Sequence, residues 1–184
     1  PDSVVRAAKL GIGAMTGHSL VPKDLNKYKK LWLETMYKEG HPENEINHIV
    51  DHTPNTTRII WVADTDKQAK EEARANFGRF EKAYAQYCYP GYGYPNRRAP
   101  ESIPQMKQRS QPGGRNIDLA WEELIKCYGV IAGSPKTVRM KLEELLDQAP
   151  MNYMSLYMNY GGPHPDAIKR NMKLFATKVM PYFK

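Results

Sequence analysis

Short apolar runs alternate with longer segments in which apolar residues recur every three or four positions. LGIGAM (10–15) is a short run bounded by glycine, and the segment after it, 23–40, carries its apolar residues on one helical face. RIIWVAD (58–64) is rich in β-branched residues, and the segment 66–87 follows it with alanines and aromatic residues at helical spacing. Each pair predicts a buried strand followed by an amphipathic helix.

The same alternation returns in the second half of the chain. GVIAG (129–133) precedes a segment in which Ser134 can cap a helix and Pro135 occupies its first turn. The run 151–160 precedes a closing helix from about Asp166. Strands that alternate with helices predict a parallel α/β sheet with right-handed crossovers. A complete eight-unit barrel needs about 250 residues, so about four βα units form half a TIM-type (β/α)8 barrel or a small open sheet.

Residues 88–116 interrupt this alternation. The segment holds five prolines, four glycines and three tyrosines. Loops of this length inside one domain are usually functional or disordered. We therefore treat 1–184 as a single domain with a Pro/Gly/Tyr-rich loop at 88–116.

Composition excludes several classes of protein. The chain has 184 residues, of which 41% are hydrophobic, so it can bury one ordinary core. No apolar run reaches membrane-spanning length and the first residues lack a signal-peptide core, which predicts a cytoplasmic protein without a membrane segment. The net charge of +7 comes from basic residues interleaved with acidic ones, so we expect solvated helix faces and no nucleic-acid partner.

Metal and disulfide chemistry is also not expected. Cys88 and Cys127 are far apart in sequence and have no partner spacing. His48 and His52 are four residues apart, but no third ligand pattern accompanies them, so they are interpreted as a surface pair. His18 and His164 follow predicted strands, where either could touch a substrate.

Four segments, in this order, carry a family resemblance: PDSVVRAAKLGIG, VADTDKQAKEEA, GSPKTVRMKLEELL and MKLFATKVMPYF. They resemble the C-terminal half of bacterial luciferase and of the luciferase-like flavin-dependent monooxygenases. The resemblance implies strands five to eight of an eight-stranded α/β barrel. It also implies that the catalytic residues, including a histidine, lie upstream of Pro1. An open half-barrel would expose two strand edges, so we expect a missing N-terminal half or a second chain to close it, and an oligomer.

The resemblance implies an enzyme that uses reduced FMN, supplied by a separate flavin reductase, and O2 to oxidise a small organic substrate. Two alternatives stay open. A deazaflavin-dependent oxidoreductase of the same fold would have the same pattern. A non-catalytic half-barrel that binds a partner is the alternative from a different class.

By resemblance, five residues would contact the flavin: Ser3, Met15, Thr16, Gly17 and Phe80. Ser3 matches a phosphate-binding hydroxyl at a helix start, although a plain capping role fits its position equally well. The residues at 15–17 would border the flavin ring, or simply end a buried strand. An aromatic at Phe80 would lie beside the ring, or belong to the core.

The loop at 88–116 matches the family's lid over the active site. Tyr92 and Tyr94 are expected to stack on a substrate, and Arg97 and Arg98 to hold an acidic group or the flavin phosphate. The loop departs from the family in composition.

Overall fold

The computed structural model describes the backbone of residues 2–53, 55–88 and 117–183, and the side chains of the same ranges without 81–88 and 117–120. Its elements, in chain order, are α1 (Asp2–Lys9), α2 (Pro22–Lys38), α3 (Glu43–His52), β1 (Thr57–Val62), α4 (Asp66–Cys88), α5 (Ile117–Lys126), β2 (Val130–Gly133), α6 (Pro135–Gln148), β3 (Ser155–Tyr157), α7 (Pro165–Lys178) and a closing 3₁₀ turn (Met180–Tyr182). Within these ranges, every helix is too short or too polar to cross a lipid bilayer.

The strands form one parallel sheet in the order β2-β1-β3. Ile59 of β1 lies opposite Val130 of β2 on one side and opposite Tyr157 of β3 on the other. A single bridge between Thr16 and Thr56 extends the sheet beyond the start of β1. The predicted strands at 58–64 and 129–133 are therefore confirmed as neighbours in a parallel α/β sheet.

The expected strand at 10–15 is wrong, for a reason that lies in its glycines. Gly11 has a φ of +64°, in the left-handed region that ends helices. The amide of Ile12 donates to Ala7 O at 3.0 Å and that of Gly11 to Ala8 O at 3.0 Å, so this run is the C-terminal cap of α1. Only Thr16, just after the run, reaches the sheet.

Helices cover both faces of the sheet. Ile59, Trp61 and Ala63 face α4 and α5, whereas Ile60 and Val62 face α6 and α7. Every residue of β1 is buried, as expected for a central strand between two helical layers. Among the described residues the sheet has three strands, with β1 between β2 and β3. Half of a (β/α)8 barrel, with four βα units, therefore stays a prediction.

One side chain replaces a strand where β3 ends. Asn171 of α7 is fully buried, and its Oδ1 accepts from the amide of Val62 at 2.8 Å. Its Nδ2 donates to Ile60 O at 3.1 Å and to Met158 O at 3.0 Å. The side-chain amide of Asn171 thus provides hydrogen-bond partners for the backbone groups of β1 that lie beyond the end of β3.

The start of α6 is built as predicted. Ser134 is its N-cap, with Oγ accepting from the amide of Thr137 at 3.4 Å, and proline occupies the first turn. Asp66, at the start of α4, also reaches this point: its carboxylate accepts from the Ser134 amide at 2.6 Å and from Thr137 Oγ1 at 2.9 Å. These two hydrogen bonds lower the pKa of Asp66 from its ordinary value of 3.8.

A satellite core lies beside the sheet. Val4 and Ala8 of α1 pack against Trp32 and Met36 of α2 and against Ile46 of α3. The indole N–H of Trp32 donates to the carbonyl oxygen of Ile12 at 3.0 Å. This bond ties the cap of α1 to α2 and so fixes the path of the chain toward Thr16.

Candidate functional site

A cavity of about 470 Å³ lies on the α4 side of the sheet, beside the start of β1. Its volume falls within the range of about 300–1,000 Å³ that small-molecule sites occupy. The residues around it come from three places: the segment before α2, the start of β1 with α4, and the end of β3 with the turn after it. They are Met15, Thr16, Gly17, His18, Thr57, Phe80, Tyr157, Asn159, Tyr160 and Gly161.

One wall is the segment that bridges to the sheet at Thr16. Thr16 Oγ1 donates to Asn55 O at 2.9 Å, and the amide of Thr57 donates to Thr16 O at 3.1 Å. Thr57 Oγ1 in turn contacts Met15 Sδ at 3.3 Å. This wall is therefore held by the backbone of β1, while the side chain of Met15 stays 56% exposed at the rim.

The opposite wall is aromatic. Phe80 of α4 and Tyr160 stack with ring centroids 4.2 Å apart, and Tyr157 lies 6.4 Å from Tyr160. His18 meets the same tyrosine edge-on at 6.2 Å. Such rings can cover a flat ligand on one side and exclude water from it.

The turn after β3 is pressed against α4. Gly161 has a φ of +79°, and a Cβ at this position would lie 1.9 Å from Asn76 O. Arg79 Nε donates to the Gly161 carbonyl at 3.1 Å. Only glycine fits this approach, and the approach is what brings Tyr160 beside Phe80.

A buried arginine lies behind the wall that contains Thr16 and Gly17. Arg58 is fully buried, and its guanidinium donates to Thr56 Oγ1 at 2.8 Å, to Thr57 O at 3.0 Å and to Leu20 O at 2.9 Å. A longer bond of 3.4 Å reaches Gly17 O. Burial disfavours the charged form and lowers the pKa of Arg58 to about 10, so the side chain is still protonated at neutral pH.

The lining itself is uncharged apart from histidine. Among the described residues that line the cavity, none is Asp, Glu, Lys or Arg. The polar groups that remain are hydroxyls, the amide of Asn159 and the imidazole of His18. The cavity therefore suits a flat, largely apolar group that carries a few hydrogen-bonding atoms.

Four of the five residues assigned to the cofactor by resemblance meet here, namely Met15, Thr16, Gly17 and Phe80. Ser3 does not: it is an exposed residue of α1 and does not line this cavity. The residues assigned to the substrate, Tyr92, Tyr94, Arg97 and Arg98, lie outside the described residues.

The histidines singled out in the sequence lie in different parts of the fold. His18 lines the cavity, whereas His164 is the exposed N-cap of α7. His48 and His52 stack on α3 at 4.3 Å, and His52 Nδ1 lies 2.8 Å from the carbonyl oxygen of His48. In the part of the chain that the structure describes, no group of three His, Cys, Asp or Glu side chains could hold a metal ion.

Sequence reasoning missed the second half of the cavity. Thr57 is the first residue of β1 and lies one position before the predicted strand at 58–64, so no sequence pattern assigned it to the cavity. Asn159, Tyr160 and Gly161 follow β3, and the paired glycines at 161 and 162 were the one available signal of a tight turn.

Comparison with known proteins finds a curated relative that matches part of the chain. No family model matches the chain. The chain is 26% identical over 126 residues to 2,5-diketocamphane 1,2-monooxygenase 1 of Pseudomonas putida. That alignment covers 68% of the chain and 32% of the relative, so the chain spans about a third of the length of the curated relative that it matches.

Solved structures share the architecture. Monooxygenase RslO1 from Streptomyces bottropensis aligns with the whole chain at a TM-score of 0.64 and 14% identity, and the chain covers 46% of it. The oxygenating constituent of 3,6-diketocamphane monooxygenase from Pseudomonas putida, a type II Baeyer-Villiger monooxygenase solved with FMN, aligns with 97% of the chain at a TM-score of 0.58 and 18% identity. The chain covers 45% of that protein. The chain has the fold of part of these monooxygenases.

Proposed function

We propose that the chain is part of a flavin-dependent monooxygenase of the luciferase-like class, which uses reduced FMN and O2 to oxidise a small organic substrate. The observation that carries this proposal is the meeting of Met15, Thr16, Gly17 and Phe80 around one cavity. Their assignment came from the resemblance alone, and they are up to 65 positions apart in the chain, counting from Met15 to Phe80. The likeness to two diketocamphane monooxygenases, one of them solved with FMN, supports the same class.

The residues present fit the ring of a flavin. Phe80 and Tyr160 offer aromatic faces, and a Cβ on Gly17 would have no neighbour within 4 Å, so a ligand can approach the backbone there. Thr16 and Asn159 border the same space with polar side chains. When bound, FMN would supply the chemistry that activates O2. These residues would orient the ring and exclude water from it.

The same residues do not provide a phosphate site. No Lys or Arg lines the cavity among the described residues, and Ser3 lies elsewhere. We therefore propose that the phosphate contacts and the catalytic groups come from segments outside those described, including the loop at 88–116 and chain upstream of Pro1. A flavin reductase as the source of reduced FMN, and closure of a barrel by another segment or a second chain, are parts of the same proposal.

Titration of FMN into the purified chain tests this function. We expect quenching of flavin fluorescence in the chain itself and at least about tenfold weaker binding in Gly17→Leu, because the new side chain would enter the cavity. Ser3→Ala is the matched control and is expected to leave ring binding unchanged. Equal binding by the chain and by Gly17→Leu, with both folded, would move the flavin site elsewhere.

The visible spectrum of pigment that copurifies with the chain separates the cofactors. A flavin spectrum supports the monooxygenase. A deazaflavin spectrum would favour the oxidoreductase of the same fold instead.

A further inference from the structure

Two arginines hold opposite walls of the cavity from behind. Arg58 donates to the carbonyl oxygen of Gly17 at 3.4 Å, and Arg79 donates to the carbonyl oxygen of Gly161 at 3.1 Å. Both glycines line the cavity. Each guanidinium therefore lies behind the backbone of a glycine that a ligand in the cavity would touch.

Arg58 has a stronger electrostatic effect on the cavity than Arg79, because Arg58 is buried. The whole residue is excluded from solvent, and its donors meet only carbonyl and hydroxyl oxygens. Its Nε has no hydrogen-bond partner, and in the part of the chain that the structure describes the side chain whose charge acts on the guanidinium is the thiol of Cys127 and not a carboxylate. A buried cation without a counter-ion acts over a longer distance than a surface charge, because little water screens it.

Arg79 is exposed and binds Asn76 Oδ1 as well as the Gly161 carbonyl. Water and salt screen a charge in this position, so its effect on the cavity is smaller. No acidic side chain among the described lining residues offsets either arginine.

We propose that Arg58, assisted by Arg79, makes the cavity favour a ligand whose ring carries negative charge. This inference rests on the proposed function, under which the ligand is a flavin. Addition of a hydride equivalent to the neutral oxidised ring gives an anion, so the arginines stabilise the reduced ring relative to the oxidised one. Arg58 does not line the cavity and acts through its hydrogen bond to the Gly17 carbonyl, so it is a positioning residue.

Lumiflavin is the probe that isolates this effect, because it has the flavin ring without the phosphate. Dissociation constants are measured without oxygen for the oxidised and the reduced probe, at a mildly alkaline pH so that the reduced ring is ionised. We expect the chain to bind the reduced ring about tenfold more tightly than the oxidised ring. For a two-electron couple, a tenfold ratio corresponds to a rise of about 30 mV in the reduction potential of the bound probe.

Substitutions at Arg58 and Arg79 then test whether their positive charges cause the preference for the reduced ring. Arg58→Met is expected to lose most of the preference for the reduced ring, whereas Arg58→Lys keeps it. Arg79→Met is expected to have a smaller effect that disappears at high salt. A purely structural role for Arg58 would weaken both redox forms equally and lower the melting temperature without changing their ratio.

The outcomes separate this inference from the proposed function. Binding of both redox forms with equal affinity by the unmodified chain overturns the inference and leaves the flavin site standing. An unchanged ratio in folded Arg58→Met does the same. Should Arg58→Met not fold, loss of the preference in folded Arg58→Lys, which retains the positive charge, overturns the inference, and retention of the preference there and in the unmodified chain supports it. Failure of the chain to bind lumiflavin or FMN in either form overturns both proposals.

Discussion

Phe80 and Tyr160 stack with their ring centroids 4.2 Å apart, and this contact joins α4 to the turn after β3. Tyr160 also faces Phe77, 6.4 Å away, which belongs to the core between the sheet and α4. The wall of the cavity is thus a continuation of the hydrophobic core. Changes in that wall must therefore be separated into effects on folding and effects on binding.

Phe80→Ala is expected to weaken FMN binding about tenfold, since stacking on an aromatic ring contributes about 1–3 kcal/mol. It should also destabilise the fold, because Phe80 is half-buried against the core. Fluorescence titration and chemical unfolding, run on the same samples, check both effects. Phe80→Leu retains much of the apolar volume and is expected to lose binding with less loss of stability. A Leu variant that binds FMN as well as the unmodified chain would assign Phe80 to the core alone.

Asn171→Leu is expected to lower the free energy of unfolding by about 2–4 kcal/mol. The leucine is similar in size, but it leaves the amide of Val62 and the carbonyl of Ile60 without the partner that Asn171 provides. Urea unfolding measures the change. Asn152→Leu is the control, because Asn152 is exposed and, among the described residues, its side chain donates to the surface carboxylate of Asp51. Similar losses in both variants would mean that the buried amide has no special role.

Local features were predictable wherever neighbouring residues determine them. Ser134 and Pro135 start α6 as expected because capping depends on residues within one turn. β1 was predictable because its run of β-branched and aromatic residues is buried on both faces. The strand predicted at 10–15 was wrong because the glycines in this run, which resemble strand boundaries, end α1 instead.

The order of strands and the second half of the cavity were not predictable from local patterns. Nothing in the sequence around β3 states that it pairs with β1 on the side away from β2. That pairing is what places Tyr157 and Tyr160 opposite Met15 and Gly17. Phe80 was assigned by resemblance, whereas the spacing on its own helix favoured core packing. The structure places Phe80 against the core and also beside the turn after β3.

Asp66→Ala is expected to destabilise the chain by about 1 kcal/mol at neutral pH, because Asp66 helps to cap α6. Hydrogen bonds from Ser134 and Thr137 lower the folded pKa below the ordinary 3.8, so folding favours the ionised carboxylate. This stabilisation is complete above the unfolded pKa and is lost as the pH falls through the folded pKa. The stability gap between the two proteins should therefore shrink as the pH falls from about 5 through the folded pKa, as measured by urea unfolding at each pH. Asp147→Ala removes an exposed carboxylate from α6 and serves as the control, and a gap that stays constant with pH would contradict the assignment.

Gly161→Ala and Gly162→Ala form a pair that tests how tightly the turn after β3 must approach α4. Both glycines have positive φ, at +79° and +63°, so each substitution carries the backbone cost of about 1 kcal/mol. Only at 161 would the new Cβ also lie 1.9 Å from the backbone oxygen of Asn76, whereas at 162 it would have no neighbour within 4 Å. We expect Gly161→Ala to lose at least about 2 kcal/mol more stability than Gly162→Ala, and to weaken FMN binding by displacing Tyr160 from Phe80. Thermal unfolding and FMN titration of the two variants give the comparison, and equal behaviour in both would mean that the turn can move away from α4 without disturbing the cavity.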